Sequence, residues 1–152
     1  MGFLTGKTAI ITGAGRAVLK DGSCGSIGYG IATAYAKEGA NLVITGRNVK
    51  KLEAAKQELE NLYGIKVLTV QADVCAGGDN EATVANVVKQ AVDTFGGIQV
   101  LINNAQASAS GVPLAEHTTE QFDLAIYSGL YAAFYYMKAC YPYPVSYTHL
   151  RA

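Results

Sequence analysis

The chain has 152 residues, about one domain's length. Half of them are hydrophobic and 16% are charged, so a packed core can form and disorder is excluded. Lysine plus arginine and aspartate plus glutamate number 12 each, and the resulting zero net charge offers no overall attraction to nucleic acid or an anionic membrane.

Apolar periodicity alternates along the chain. Lys7–Thr12 reads as a short buried strand ending at Gly13, and Ile27–Glu38 as a helix with Ile27, Ile31, Ala34 and Tyr35 on one face. Asn41–Thr45 is a second strand, stopped by Gly46. Val49–Tyr63 reads as a helix that buries Val49, Leu52, Leu59 and Leu62 and carries a Lys56–Glu60 ion pair outside. Lys66–Gln71 is a third strand, and Glu81–Phe95 a helix with Val84, Val87, Val88, Ala91, Val92 and Phe95 inward. Val100–Asn103 is a fourth strand, and Thr119 to about Tyr141 a long fourth helix. Nearly all-apolar strands alternating with helices predict an α/β fold with a parallel sheet covered on both faces. No run of 18 apolar residues occurs. No secretory leader is visible at the start, and Cys24, Cys75 and Cys140 have no metal-ligand spacing. A cytoplasmic protein with reduced thiols and no metal is expected.

The glycines cluster between Gly13 and Gly30, in Thr12-Gly-Ala-Gly-Arg16 and Ser26-Ile-Gly-Tyr-Gly-Ile-Ala32. A glycine-rich turn between a strand and a helix can bring backbone N–H groups against a phosphate at the positive end of the helix. Taken alone, these glycines also fit an ordinary strand-to-helix turn or a methyltransferase loop. At the end of the second strand, about 20 residues past the glycines, a carboxylate would hold the ribose 2′-hydroxyl of NAD, and an arginine the 2′-phosphate of NADP. Gly46-Arg47-Asn48 carries no acid there, which favours NADP and argues against a methyltransferase. Arg16 can assist, whereas a merely solvated Arg47 is the alternative.

Further pieces follow in order: Asp73-Val74 after the third strand, then Phe95-Gly-Gly-Ile-Gln-Val-Leu-Ile-Asn-Asn-Ala105, then Gln121-Phe-Asp. With these and the split glycine loop, the chain resembles the short-chain dehydrogenase/reductase family from about Gly6 to Tyr143. The resemblance implies a Rossmann-type doubly wound parallel sheet in the order 3-2-1-4, truncated after the fourth strand and fourth long helix. It implies an oxidoreductase that passes hydride between NADP(H) and a small-molecule carbonyl or alcohol. Gly13, Ala14, Gly15, Arg16, Ser26, Ile27 and Gly28 would form the cofactor loop, Arg47 would meet the 2′-phosphate, and Asp73 and Val74 would border the adenine. Asn104 and Ala105 would line the ribose and nicotinamide side.

The chain departs from the family pattern at four points. Ala17 to Gly25 intrude into the loop, and a surface excursion turning at Asp21-Gly22 is expected there, with Lys20 adding charge. The segment Ser26–Ala32 is also similar to that of enoyl-thioester reductases in the same superfamily, which keeps that activity as an alternative. Gln106 stands where the family closes Asn-Asn-Ala-Gly, and Gly129 where it has a helix-kinking asparagine that supports a proton relay. No lysine is preceded at four residues by a tyrosine, so the family's Tyr-x-x-x-Lys proton donor is absent and no catalytic residue is assigned. Tyr135 and Tyr136 lack that spacing and read as helix packing or a homo-oligomer interface. Residues 145–152, Val-Ser-Tyr-Thr-His-Leu-Arg-Ala, resemble a translated sequencing adapter. Residues 1–143 are therefore expected to be the N-terminal part of one NAD(P)-binding domain, and 144–152 an artefactual tail. An inactive, association-prone nucleotide-binding half domain is the corresponding expectation for the chain as written.

Overall fold

Four short strands, β1 (Thr8–Thr12), β2 (Asn41–Gly46), β3 (Val67–Gln71) and β4 (Val100–Ile102), form one parallel sheet in the order β3-β2-β1-β4. The structure, a computed structural model, describes residues 2–75 and 80–143, so the expected 144–152 tail lies outside the described residues. Between the strands run α1 (Ile27–Lys37), α2 (Val49–Tyr63) and α3 (Asn80–Phe95). After β4 come a single 3-10 turn (Leu114–Glu116), α4 (Thr119–Ala125), a π-helical segment (Ile126–Tyr131) and α5 (Ala132–Cys140).

The strands have side chains to bury on both faces, and their alternation sorts two cores. Ile11 sits beside Ile44 and Ile102, and with Ala9 and Leu42 it packs under Tyr29, Ala32 and Ala36 of α1 and Leu52, Ala55 and Leu59 of α2. Ile10, paired with Val43 and Leu101, faces the other way onto Val84, Val87, Val88 and Ala91 of α3 and Tyr136 and Cys140 of α5. Because all four strands run parallel, the loops leaving them emerge along one edge of the sheet.

The inward faces of two helices differ from the apolar periodicity. Helix α1 buries Gly28, Tyr29, Ala32 and Ala36, whereas Ile27 and Ala34 are exposed and Ile31 and Tyr35 only half-buried. Small side chains let the helix lie close on the sheet, a preference that outweighs bulk here. Helix α2 buries Leu52, Ala55 and Leu59 but leaves Val49 and Leu62 exposed. Fifteen helical residues span about 22 Å against roughly 17 Å for a five-residue strand, so the ends of the helix overhang the sheet. The expected Lys56–Glu60 pair does not form. Glu60 Oε1 instead accepts the Val67 N–H at 2.9 Å, satisfying a donor at the start of β3.

The single fourth helix expected from the sequence is interrupted. Its start holds a capping box, in which Thr118 Oγ1 accepts from Gln121 N–H and Gln121 Oε1 from Thr118 N–H. At Ser128 the regular ladder gives way: the Ala132 N–H reaches back five residues to Tyr127 O, and Ser128 Oγ lies 2.7 Å from Leu124 O. The Tyr135–Tyr136 stripe packs as expected, with Tyr136 in the core and Tyr135 half-buried beside it, its ring tilted against Tyr131, which in turn stacks on Tyr127.

These faces predict opposite outcomes for two leucines on one helix. Leu59→Ala opens a cavity in a fully buried site and should cost about 2–5 kcal/mol in urea unfolding. Leu62→Ala, at a position 64% exposed, should stay within about 0.5 kcal/mol of wild type.

Candidate functional site

The loops at the carboxyl edge of the sheet are tied together at Thr12, the last residue of β1. Thr12 Oγ1 accepts the N–H groups of Asn104 and Ala105, both at 2.9 Å, and lies 3.4 Å from Ile102 O. Asn104 answers with its side-chain amide, which donates to Thr12 O at 2.8 Å and Gly13 O at 3.4 Å. Gly13 turns the chain at φ +70°, a left-handed conformation suited to glycine. Gly28, at the start of α1, lies directly over this knot. A Cβ on it would collide with the Gly13 carbonyl oxygen and come 2.6 Å from Asn104 Nδ2. Three segments distant in sequence are thereby pressed backbone to backbone.

Two adjoining clefts open above the knot. One, about 200 Å3, is lined by Gly13, Arg47, Asp73, Val74, Asn104 and Ala105 among others. The other, about 250 Å3, lies between Gly13, Gly15, Ala17 and Ser26 on one side and Arg47, Asn48 and Lys51 on the other. Arg47 lines both, its backbone held by the Gln71 side chain, which donates to Arg47 O at 3.0 Å. A larger cavity of about 630 Å3 borders the first cleft through Val74, Asn104, Ala105 and Gln106. The Gln106 side chain lies over Gly129, with Nε2 at 3.4 Å from where a Cβ would stand. The two departures from the family pattern therefore face each other. Ser128, buried beneath them, accepts from Ala107 N–H at 2.9 Å and joins the loop after β4 to the π-helical segment.

Three of the expected site residues are placed differently from the rest. Ala14 is fully buried and its N–H donates to Thr45 O, so it shapes the loop from within. The Ile27 side chain is 76% exposed. Arg16 turns its guanidinium to Glu58 of α2, whose other carboxylate oxygen accepts the Tyr29 hydroxyl. The Tyr29 and Arg16 donors hold the Glu58 carboxyl below the usual carboxylate range, and the Glu58 carboxylate raises Arg16. Asp73 Oδ1 accepts from Cys75 N–H at 2.9 Å, and burial followed by the Asp73 charge pushes the Cys75 thiol up, which keeps it neutral.

The insertion forms a small surface turn. Val18 and Cys24 pair as an antiparallel bridge, Leu19 N–H donates to Ser23 O, and Gly22 takes φ +83°. Asp21 Oδ1 accepts from the Ser23 N–H and hydroxyl at the tip, and Lys20 is exposed, lining neither cleft. Ser26 then caps α1, its hydroxyl 3.4 Å from the Tyr29 N–H. Thr12, Lys51, Glu58 and Ser128 were not marked as site residues by sequence reasoning. Thr12 reads as a strand end, and the helical residues as an ordinary solvated or apolar face.

A short chain dehydrogenase family profile matches residues 7–147. The chain belongs to that family. It is 61% identical over 143 residues to a 12α-hydroxysteroid dehydrogenase of Clostridium sp., covering 94% of this chain and 52% of that protein. Hydroxysteroid dehydrogenase-like protein 2 of Rattus norvegicus is 34% identical over 149 residues, covering 93% of this chain and 26% of the relative. Among solved structures, L-sorbose reductase of Gluconobacter frateurii complexed with NADPH and L-sorbose superposes with a TM-score of 0.78 at 31% identity. That match covers 93% of this chain and 48% of the reductase. The chain thus spans about half the length of these proteins or less. Doubly wound topology, a glycine loop and oxidoreductase kinship agree. Among the described residues, no helix is long and apolar enough to cross a membrane.

Two measurements probe the site's supports. Thr12→Val keeps the shape but leaves the N–H groups of Asn104 and Ala105 without their acceptor. It should lower unfolding stability by about 1–3 kcal/mol, whereas an unchanged urea midpoint would show that the knot is not held by this hydroxyl. Glu58, with its lowered carboxyl, stabilises the fold above the ordinary glutamate value and loses that contribution as pH falls through the lowered one. Glu58→Gln should therefore flatten the fall in melting temperature below about pH 4.3 relative to wild type.

Proposed function

We propose that this chain is the dinucleotide-binding part of an NADP(H)-dependent short-chain oxidoreductase acting on a hydroxysteroid or a similarly apolar alcohol or ketone. The observation that carries the cofactor reading is Arg47, placed where two clefts meet at the end of β2, with no carboxylate beside it in Gly46-Arg47-Asn48. The fit to a dinucleotide rests on the close glycine knot: without a Cβ at Gly13 and Gly28 the start of α1 seats against the end of β1, where a pyrophosphate would meet the positive end of the helix.

In this reading the backbone of Gly13, Gly15, Ser26 and Gly28 receives the pyrophosphate, with Ala14, Arg16 and Ile27 shaping the loop. Asp73 and Val74 flank the adenine, and Asn104 and Ala105 the ribose and nicotinamide side. A nicotinamide held there supplies or accepts hydride. This chain's own residues bind and orient it, and the lack of Tyr-x-x-x-Lys in the 152 residues leaves proton transfer to another part of a longer protein. The steroid class is supported by the 12α-hydroxysteroid dehydrogenase relative, 61% identical to this chain, and by the about 630 Å3 cavity bordered by Leu101, Ile102 and Ala133. The exposed Phe122 on α4, Leu130 on the π-helical segment and Phe134 on α5 suit contact with a second subunit.

Fluorescence titration with NADPH and NADH tests the cofactor reading. Arg47→Ala should reduce the NADPH-to-NADH affinity ratio about ten- to a hundredfold through loss of a charge-assisted phosphate contact. Binding of both nucleotides with an unchanged ratio would make Arg47 an ordinary surface charge.

A further inference from the structure

Arg16 is the obvious second cation for a phosphate near Arg47, because it ends the glycine loop. The fold places it otherwise. Its guanidinium is engaged by Glu58, and Glu58 is held on its other side by Tyr29. Its backbone N–H is also committed, donating to Lys51 O at 2.8 Å. Both groups of Arg16 thus have partners on α2 before any ligand arrives.

Lys51 is the reverse case. Its backbone is pinned on both sides: the N–H donates to the capping Asn48 Oδ1 at 3.0 Å, and the carbonyl accepts from Arg16. Its ammonium makes no ion pair among the described residues. The stem runs beneath the glycine loop, since a Cβ on Gly15 would stand 3.1 Å from Lys51 Cβ. Lys51 and Arg47 line the same cleft of about 250 Å3, opposite Gly15 and Ser26. The first turn of α2 has no acidic residue yet carries Lys50 and Lys51, cations where the helix dipole disfavours them. An anion in the cleft would relieve that repulsion.

We propose that Lys51, rather than Arg16, is the second cation that selects a ribose 2′-phosphate, acting with Arg47 from the same wall of the cleft. This rests on the NADP reading above. Glu58 has a defined part in it: by holding Arg16 against α2, it keeps the glycine loop seated on Lys51 and leaves the choice between phosphorylated and unphosphorylated ribose to the two cations of the cleft.

The test is calorimetric binding of adenosine 2′,5′-bisphosphate and adenosine 5′-monophosphate to the 152-residue chain. Wild type should prefer the bisphosphate. Lys51→Gln should lower that preference about tenfold with little change for the monophosphate, and Lys51→Arg should restore it. Lys50→Gln removes the same charge from the same helical turn without touching the cleft and should leave the preference intact, whereas Arg16→Gln loosens the seat of the glycine loop and should weaken both nucleotides by a similar factor without changing their ratio. Lys51 and Lys50 are exposed, so their variants should keep the wild-type unfolding midpoint. An unchanged preference in Lys51→Gln, or a loss in Arg16→Gln or Lys50→Gln matching that in Lys51→Gln, overturns the assignment of Lys51 while the NADP reading stands. A wild-type chain without any preference for the bisphosphate overturns the NADP reading and this inference together.

Discussion

The close approach of Gly28 to the Gly13 carbonyl and the Asn104 amide governs the rest of the molecule. Because no Cβ intervenes, the start of α1 can settle onto the end of β1, and the loop after β4 can close over both. Thr12 and Asn104 then exchange hydrogen bonds that satisfy the backbone groups freed where the strands end. A larger residue at position 28 would push α1 from the sheet and pull apart the cleft between the glycine loop and α2. The site and the core are therefore built from the same contact.

Charge at the site is organised by pairing as much as by number. Four cations, Arg16, Arg47, Lys50 and Lys51, lie in or near the glycine loop and the start of α2, although the whole chain is neutral. One carboxylate, Glu58, draws Arg16 onto α2 and joins that helix to α1 through Tyr29. Removing one cation from a cluster by an internal ion pair sharpens the direction of the remaining field, since the paired charge contributes little beyond its partner. The same Glu58 serves packing and electrostatics at once.

On the far side of the cleft, Gln106 and Gly129 show how two departures from a family pattern can be related. Each in isolation looks like the loss of a feature. In the fold the carboxamide of one lies over the open backbone of the other, within a π-helical segment that Ser128 fastens to the preceding loop. π-Helical segments occur often at functional sites, and this one borders the cavity of about 630 Å3 beside the two clefts.

Strand and helix order, the 3-2-1-4 sheet and the residues at the strand ends were legible in the sequence. Short all-apolar runs, glycine at the turns and the right-handed crossover leave few other arrangements. Arg47, Asp73 and Asn104 could be marked because each follows the end of a strand, and a parallel sheet brings such ends to one edge. The buried faces of α1 and α2 were less legible, since periodicity counts apolar bulk, whereas close packing selected Gly28, Ala32 and Ala36 on α1, and Ala55 beside two leucines on α2. The partners of Arg16, Glu60 and Ser128 lie 42, 7 and 21 residues away respectively, and each choice depended on which donor or acceptor the packing left unsatisfied. Local sequence determined what could form and where the chain turns. The tertiary structure decided which polar groups were already committed and which stayed free for a ligand, because hydrogen-bond satisfaction belongs to the assembled fold.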